Sequence, residues 1–407
     1  MDTVSFDNLA IVAAVAFLSP LVLGLAPQLR VPSVLVEILA GVVLGPSVLG
    51  WAEADTAVSV LALIGIGYLL LLAGLEIDFD ALRGPVLRVA AQGFVVSFGL
   101  ALAVGYGLWA LGAVRSPFLI AVILSATSLA VLLPLLKDGG LIESRFGQVV
   151  IAGASIADVA TVVLLSLFFS TQPTSLSSHL VLFGLFFGLC ALAAGVIVAG
   201  GRIARVSGVL VRLQDTTAQI RVRGAFLLLL GFSVVAQRFG LEAILGTFIV
   251  GAMLKLADRD QDMTHSHFHA KLEEAGFGFF IPVFFVASGI RLDAHALVAH
   301  PSSLAKVPVF LAALYLVRGV PALLYRRVIS ARQTLAAAVL QATTLSFVLI
   351  ASQIGEQLGL ITPDTTAALT AAALLSVLIN PILAVTLLEG GQSQPQQTVG
   401  GEALARR

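Results

Sequence analysis

Apolar residues in this chain neither alternate strand-fashion nor form the narrow stripe of a surface helix. They run in blocks about as long as a bilayer is thick. A helix needs about 20 mostly apolar residues to cross the hydrocarbon core. Broken at charges and at glycine and proline, the pattern predicts about 13 such helices. They cover residues 7–26, 32–50, 56–75, 86–112, 117–136, 146–170, 179–200, 222–238, 240–257, 276–290, 304–325, 333–355 and 363–388. The expected fold is an all-α polytopic membrane protein. Residues 201–221 alternate four arginines with apolar residues and predict a linker helix lying along the cytoplasmic membrane face. That linker divides a first half, 1–200, from a second half, 222–388. The polar, glutamine-rich stretch 389–407 predicts a disordered cytoplasmic tail, too short for a regulatory domain. Arg30-Val-Pro-Ser, Gly45-Pro-Ser-Val-Leu-Gly50 and Asn380-Pro381 read as breaks or kinks.

Three pairs of segments resemble one another in the same order. Glu37-Ile-Leu-Ala-Gly-Val-Val-Leu-Gly45 resembles Glu242-Ala-Ile-Leu-Gly-Thr-Phe-Ile-Val-Gly251. Ala73-Gly74-Leu75, with Asp78 and Leu82 beyond, matches Ser288-Gly289-Ile290, with Asp293 and Leu297 beyond. Leu124-Ser-Ala-Thr-Ser-Leu129 matches Leu340-Gln-Ala-Thr-Thr-Leu345. The members fall on segments 2 and 9, 3 and 10, and 5 and 12. An odd step between copies predicts opposite senses through the bilayer, an inverted-topology repeat with a midplane site between halves. The third pair places polar clusters, Ser125-Ala-Thr-Ser128 and Gln341-Ala-Thr-Thr344, in mid-membrane. Hydroxyls satisfy backbone groups freed where a helix unwinds, and such breaks persist only where they line a cavity. Small polar residues also pack helices together; the symmetric pairing favours crossed, discontinuous helices.

Composition agrees. Of 407 residues 58% are hydrophobic and 11% charged, with mean hydropathy +1.03, against about 25% charged in soluble domains. Lys plus Arg number 23 and Asp plus Glu 23, so no net field recruits nucleic acid. The single Cys190 excludes a disulfide framework and cysteine metal clusters. The first apolar run follows no basic stretch and reads as a retained helix. With the N-terminus outside, 18 of the 23 basic residues face the cytoplasm. Arg115, Arg238, Arg291 and Lys306 lie opposite, and Arg318 lies within a segment. That bias predicts N-terminus outside and C-terminus inside a plasma membrane.

Asp158 lies near the centre of segment 6. A carboxylate at the bilayer centre costs at least about 2.5 kcal/mol, so such groups are rare and usually functional. Its plainer reading is a helix-pairing group. Arg318, mid-way along segment 11, is too deep to snorkel easily; it either neutralises carbonyls at the crossing or pairs with Asp158. Glu37 and Glu242 read as interfacial, and Gln92, Gln237 and Gln341 as buried polar candidates. His265, His267 and His269 alternate in an expected cytoplasmic loop whose Lys271, Glu273 and Glu274 read as an exposed helical face. Solvation is the simpler reading for such histidines, metal or pH sensing the alternative.

Val31-Pro-Ser-Val-Leu-Val-Glu-Ile-Leu-Ala-Gly-Val-Val-Leu-Gly-Pro-Ser-Val-Leu-Gly50, Leu70-Leu-Leu-Ala-Gly-Leu-Glu-Ile-Asp78, Gly246-Thr-Phe-Ile-Val-Gly251 and Ile281-Pro-Val-Phe-Phe-Val-Ala-Ser-Gly289 carry a family resemblance. Over roughly residues 7–388 the chain resembles the second family of monovalent cation:proton antiporters. These are sodium/proton exchangers and the membrane part of potassium efflux systems. The resemblance implies a homodimer in which a core domain moves like an elevator against a dimerisation domain. It implies that Asp158 binds the ion, with Thr127, Ser128, Ser155 and the backbone at Ala157 around it. Ser125, Arg318, Gln341, Thr343 and Thr344 would support the crossing. Members usually carry a polar residue before that aspartate; here it is Ala157. One carboxylate suggests electroneutral exchange, in which Asp158 carries either a proton or Na+ or K+. No cofactor and no enzymatic activity are expected. Two other readings stay open: an inverted-repeat carrier for an organic anion, with Arg318 at the substrate, and a gated cation channel.

Overall fold

A computed structural model describes residues 6–25, 33–76, 84–169, 176–201, 219–239, 241–257, 266–292, 295 and 301–389. Every regular element among them is helical. In chain order these are α1 (Asp7–Leu25), α2 (Ser33–Leu44), α3 (Thr56–Leu75), α4 (Gly84–Ala110), α5 (Pro117–Leu124), α6 (Leu129–Asp138), α7 (Arg145–Phe168) and α8 (Leu176–Gly201). Then come α9 (Ile220–Arg238), α10 (Ala243–Ala257), α11 (Ser266–Ala275), which runs through a π turn (Gly276–Phe280) into α12 (Ile281–Arg291), and α13 (Pro301–Leu314). A second π turn (Tyr315–Gly319) follows α13, then α14 (Val320–Ala322) and a 3₁₀ turn (Leu323–Arg327). The chain closes with α15 (Ala331–Gln341), α16 (Ser346–Gln357) and α17 (Pro363–Glu389). Each of the 13 expected segments has a helical counterpart, and nine stretches among the described residues are long and apolar enough to span a membrane.

The inverted repeat shows in how helices touch. α2 packs on α12, and α3 on α10. At the first contact Gly41 faces Gly289, and a Cβ on either glycine would fall on the other helix's backbone, at Val286 and Ile38 respectively. At the second, Gly74 faces Gly251, with added Cβ atoms meeting Phe248 and Leu71 backbone. Gly74 and Gly289 are equivalent positions of the repeated motif, and Gly41 and Gly251 lie on its other repeated segment. The molecule makes the same contact twice. In lipid, where apolar surface gains nothing from leaving the solvent, such close backbone approach is a main source of helix association.

The expected breaks are present. α5 stops at Leu124 and α6 starts at Leu129; α15 stops at Gln341 and α16 starts at Ser346. The two linking tetrapeptides cross, with the Ser128 amide donating to the Thr343 carbonyl (2.9 Å).

Several boundaries differ from expectation. α2 is short because Pro46 has no N–H to continue it; the chain turns instead, with the Gly50 amide on the Gly45 carbonyl (2.9 Å) and Gly50 at φ +63. The tenth span begins at Ser266 rather than 276, so His267 and His269 lie on a helix and not in a loop; His269 reaches Glu273, one turn on, at 3.4 Å. Asn380-Pro381 does not break α17, which runs through it. A proline deletes one helical bond, and packing against neighbouring helices tolerates this in membrane segments. Residues 202–218 of the expected linker, Asp78, Leu82, His265, Asp293, Leu297 and residues 390–407 lie outside the described residues.

A cavity of about 660 Å³ separates α16, which carries the second break, from α3, α9, α10 and α12. Glu242, Gln237, Arg291, Gln353 and Gln357 are among the polar groups on its mainly apolar walls.

Candidate functional site

The site is assembled where the two breaks meet α7. The first break is held from several sides. The Ser125 hydroxyl folds back onto the Ala121 carbonyl (2.7 Å) and closes the end of α5. The Thr127 hydroxyl donates to the Gln341 carbonyl on the other broken helix (2.7 Å). The Arg318 Nε donates to that same Thr127 oxygen (2.7 Å). Thr127 is therefore committed to holding the crossing.

Arg318 is 4% exposed. Beyond Thr127, its Nη2 donates to Gln341 Oε1 (2.6 Å) and to the Gly153 carbonyl (3.3 Å), and its Nη1 to Ser97 Oγ (3.3 Å). Four of its five N–H groups thus meet neutral acceptors on α4, α7, α15 and the first break. The other end of the Gln341 amide donates to the Val150 carbonyl (2.8 Å). Gly153 has to be glycine here: a Cβ would fall on the Tyr325 hydroxyl and the Gln341 amide nitrogen. The second break is gripped by α17. The Thr344 amide donates to Ser376 Oγ (3.2 Å), whose hydroxyl is shared between the Ala373 carbonyl (2.7 Å) and the Thr344 carbonyl (3.1 Å), while Asn380 Nδ2 donates to Thr343 Oγ1 (3.2 Å).

Asp158 stands apart from this dense network. Ser125, Thr127, Ser128, Ser155, Ala157, Gln341, Thr343 and Thr344 are all buried, whereas Asp158 is only partly so. Among the described residues its carboxylate receives one long hydrogen bond, from the Leu129 amide at the start of α6 (3.4 Å). It has no ion-pair partner there. Arg318 and Glu76 act on it electrostatically without touching it.

Several buried oxygens linked to this aspartate by the chain or by charge have no hydrogen-bond partner: Ser128 Oγ, next to Leu129; Ser155 Oγ, one turn before Asp158 on α7; and Glu76 Oε2 at the end of α3, in its electrostatic reach. A buried polar atom left unmatched costs about 1–3 kcal/mol, so such a cluster is poised for a water or a cation. Ala157 contributes no side-chain ligand, and its carbonyl already receives the Thr161 hydroxyl (2.7 Å).

Sequence reasoning placed Asp158, Arg318, Gln341 and both breaks at one site; Arg318, Gln341 and Thr127 are joined by hydrogen bonds, while Asp158 meets the first break only at the Leu129 amide. It missed Ser97, Gly153, Ser376 and Tyr325, which carry no mark in an apolar sequence, and read Asn380 only as part of a break. It passed over Glu76 although this carboxylate stands in the quoted Leu70–Asp78 stretch. Glu37, read as interfacial, is buried in the protein at 3% exposure, and Glu242 lines the cavity, its amide on Ser166 Oγ (3.1 Å). Gln237 lines the same cavity, and Gln92 accepts from Arg327 (3.4 Å). No cluster of His, Cys, Asp and Glu suited to holding a metal occurs among the described residues.

Comparison with known proteins agrees with this architecture. The chain is 31% identical over 413 residues to the putative Na(+)/H(+) antiporter YjbQ of Bacillus subtilis, covering 98% of this chain and 65% of that protein's length. It is 26% identical over 281 residues to the Na(+)/H(+)-K(+) antiporter GerN of Bacillus cereus, covering 66% of this chain and 67% of the other. The fold matches the sodium proton antiporter MjNhaP1 of Methanocaldococcus jannaschii with a TM-score of 0.68 at 18% identity, over 97% of this chain and all of that one. The family model for the transmembrane sodium/hydrogen exchanger matches residues 13–390. With crossed broken helices, an intramembrane aspartate and that match over nearly its whole length, the chain belongs to the sodium/hydrogen exchanger family.

Proposed function

We propose that this protein exchanges a monovalent cation for protons at Asp158. The observation that carries the reading is a carboxylate without an ion-pair partner among the described residues, on a partly buried residue. With it come orphaned buried oxygens on Ser128, next to Leu129, on Ser155, one turn earlier on α7, and on Glu76, within its electrostatic reach. A small dehydrated cation needs oxygen ligands and a compensating charge, and a proton needs the carboxylate alone. The two ligands compete, because each neutralises Asp158 and so removes most of the cost of carrying a charge past hydrocarbon. Thr127 serves this site by holding the crossing, since its hydroxyl is used by Arg318 and Gln341. Arg318 is likewise occupied, which argues against a role in gripping an organic anion.

Sodium and potassium are both candidates; relatives named for each are similar to this chain. We place the chain in the second monovalent cation:proton antiporter group on the stretches quoted above. Its membrane is the plasma membrane, N-terminus outside, and its assembly a homodimer. The cavity between α16 and the α3/α9/α10/α12 group supports an elevator movement of the crossing against that scaffold, since a cleft of this size can close without displacing packed side chains. The division into halves 1–200 and 222–388, joined by a cytoplasmic linker, follows the repeat.

Asp158→Asn tests the reading. In liposomes carrying the full chain, cation-driven proton flux should disappear while the protein still inserts. Full exchange by this variant would refute the assignment.

A further inference from the structure

The π turn Tyr315–Gly319 reaches both breaks. A π turn fits one more residue into a turn than an α-helix and is frequent at functional sites. Arg318, near its end, holds Thr127 and Gln341. Tyr315, at its start, donates its hydroxyl to Asn380 Oδ1 on α17. The other end of the Asn380 amide donates to Thr343 Oγ1 (3.2 Å). The Thr343 carbonyl receives the Ser128 amide (2.9 Å), and the next amide along the chain, Leu129, is the one that meets Asp158 (3.4 Å). Asn380 and Thr343 are both 0% exposed, and Ser128 5%. An asparagine suits this place because it offers an acceptor to the phenol and a donor to the threonine at once.

We propose that Asn380, held by Tyr315, is a positioning residue for exchange. It fixes the Thr343 carbonyl, and through Ser128 it fixes the Leu129 amide against Asp158, so setting the balance between proton and cation there. The inference rests on the reading of Asp158 as the exchange site. The charged groups acting on Asp158, Arg318 and Glu76, make no hydrogen bond with Asn380, so the route runs through the backbone of the crossing. A hydrogen bond donated to a carboxylate favours its charged form. Loosening the Leu129 amide therefore favours the proton over the cation.

The test uses the full chain in liposomes, with Na+- and K+-driven proton flux measured across pH for Asn380→Ala, Thr343→Val and the double variant. Loss of one buried hydrogen bond predicts an apparent cation KM raised about fivefold. The pH of half-maximal exchange should rise by about 0.7, the same factor on a proton scale. The double variant should be no worse than either single one. Thr343→Ser, which keeps the acceptor oxygen, should return the midpoint toward the parent value. Should Asn380→Ala fail to fold, Tyr315→Phe removes one hydroxyl and should move the midpoint the same way. A uniform fall in flux with unchanged KM and midpoint would overturn the proposal, as would additive effects in the double variant. Asp158→Asn run in parallel separates the two ideas. If it retains exchange, the site reading falls; if it is silent while Asn380→Ala leaves the midpoint unmoved, only the positioning role falls.

Discussion

At the scale of the residue, the crossing separates hydroxyls that look alike in the sequence. Thr127 and Ser128 are neighbours, yet the Thr127 oxygen is bonded by Arg318 and Gln341 while Ser128 Oγ has no partner. Only the second is free to meet a ligand. Asp55 shows the same dependence on partners outside the bilayer. It stands just ahead of α3, its Oδ1 accepting the Val58 amide (2.9 Å) and its Oδ2 the Asn8 amide (3.0 Å). The helix-start amide of Val58, then Asn8, hold its carboxyl below the usual carboxylate range. A folded pKa below the unfolded value contributes stability above that unfolded value, about 3.9, and the contribution is lost as pH falls through the folded pKa. Asp55→Ala should therefore lower stability by about 1 kcal/mol at neutral pH, as loss of a helix cap does. The gap from the parent should begin to narrow below about pH 4. Thermal unfolding in detergent at pH 7 and pH 3.5 checks both parts. An aspartate ahead of an apolar run is a legible cap signal, and so is a lone carboxylate inside one. The roles of Ser97, Gly153 and Asn380 were not legible, because each depends on a partner more than 30 residues away.

At the scale of the element, the glycines explain why these helices pack as they do. Gly74 and Gly289 occupy equivalent places in the repeat, and each presses against the backbone of the facing helix. Gly74→Ala must push α3 and α10 apart, and overpacking of this kind costs about 1–3 kcal/mol. Gly289→Ala should do the same between α2 and α12. Gly99 on α4 has nothing within 4 Å of an added Cβ, so Gly99→Ala should be neutral or stabilising by up to about 1 kcal/mol. Comparing the three melting temperatures tests this; equal shifts would refute it. The motif pairing pointed to these glycines, since small residues recur where membrane helices meet. Neither π turn was legible. An extra residue in a turn leaves no trace in hydropathy, and the second turn is tied to other helices by Arg318 and Tyr315.

At the scale of the whole molecule, one carboxylate at the crossing, Asp158, predicts that exchange moves no net charge. Na+- or K+-driven proton flux in liposomes should proceed without a transport current on a solid-supported membrane. A clear current would mean that a second carboxylate, Glu76 being the nearest candidate in electrostatic reach of Asp158, also changes state during the cycle. The sequence by itself determined the helical class, the segments, the inverted repeat and the positions of both breaks. Hydrocarbon leaves so few ways to satisfy a backbone that apolar length and polar interruptions are nearly sufficient evidence. It also singled out Asp158 and Arg318, because charge is too costly there to be incidental. Only the tertiary structure decided which oxygens are engaged and which are free, that Arg318 serves the crossing rather than pairing with Asp158, and that α17 grips the second break. Those outcomes depend on distances of about 3 Å between segments far apart in the chain, and no local pattern encodes such distances.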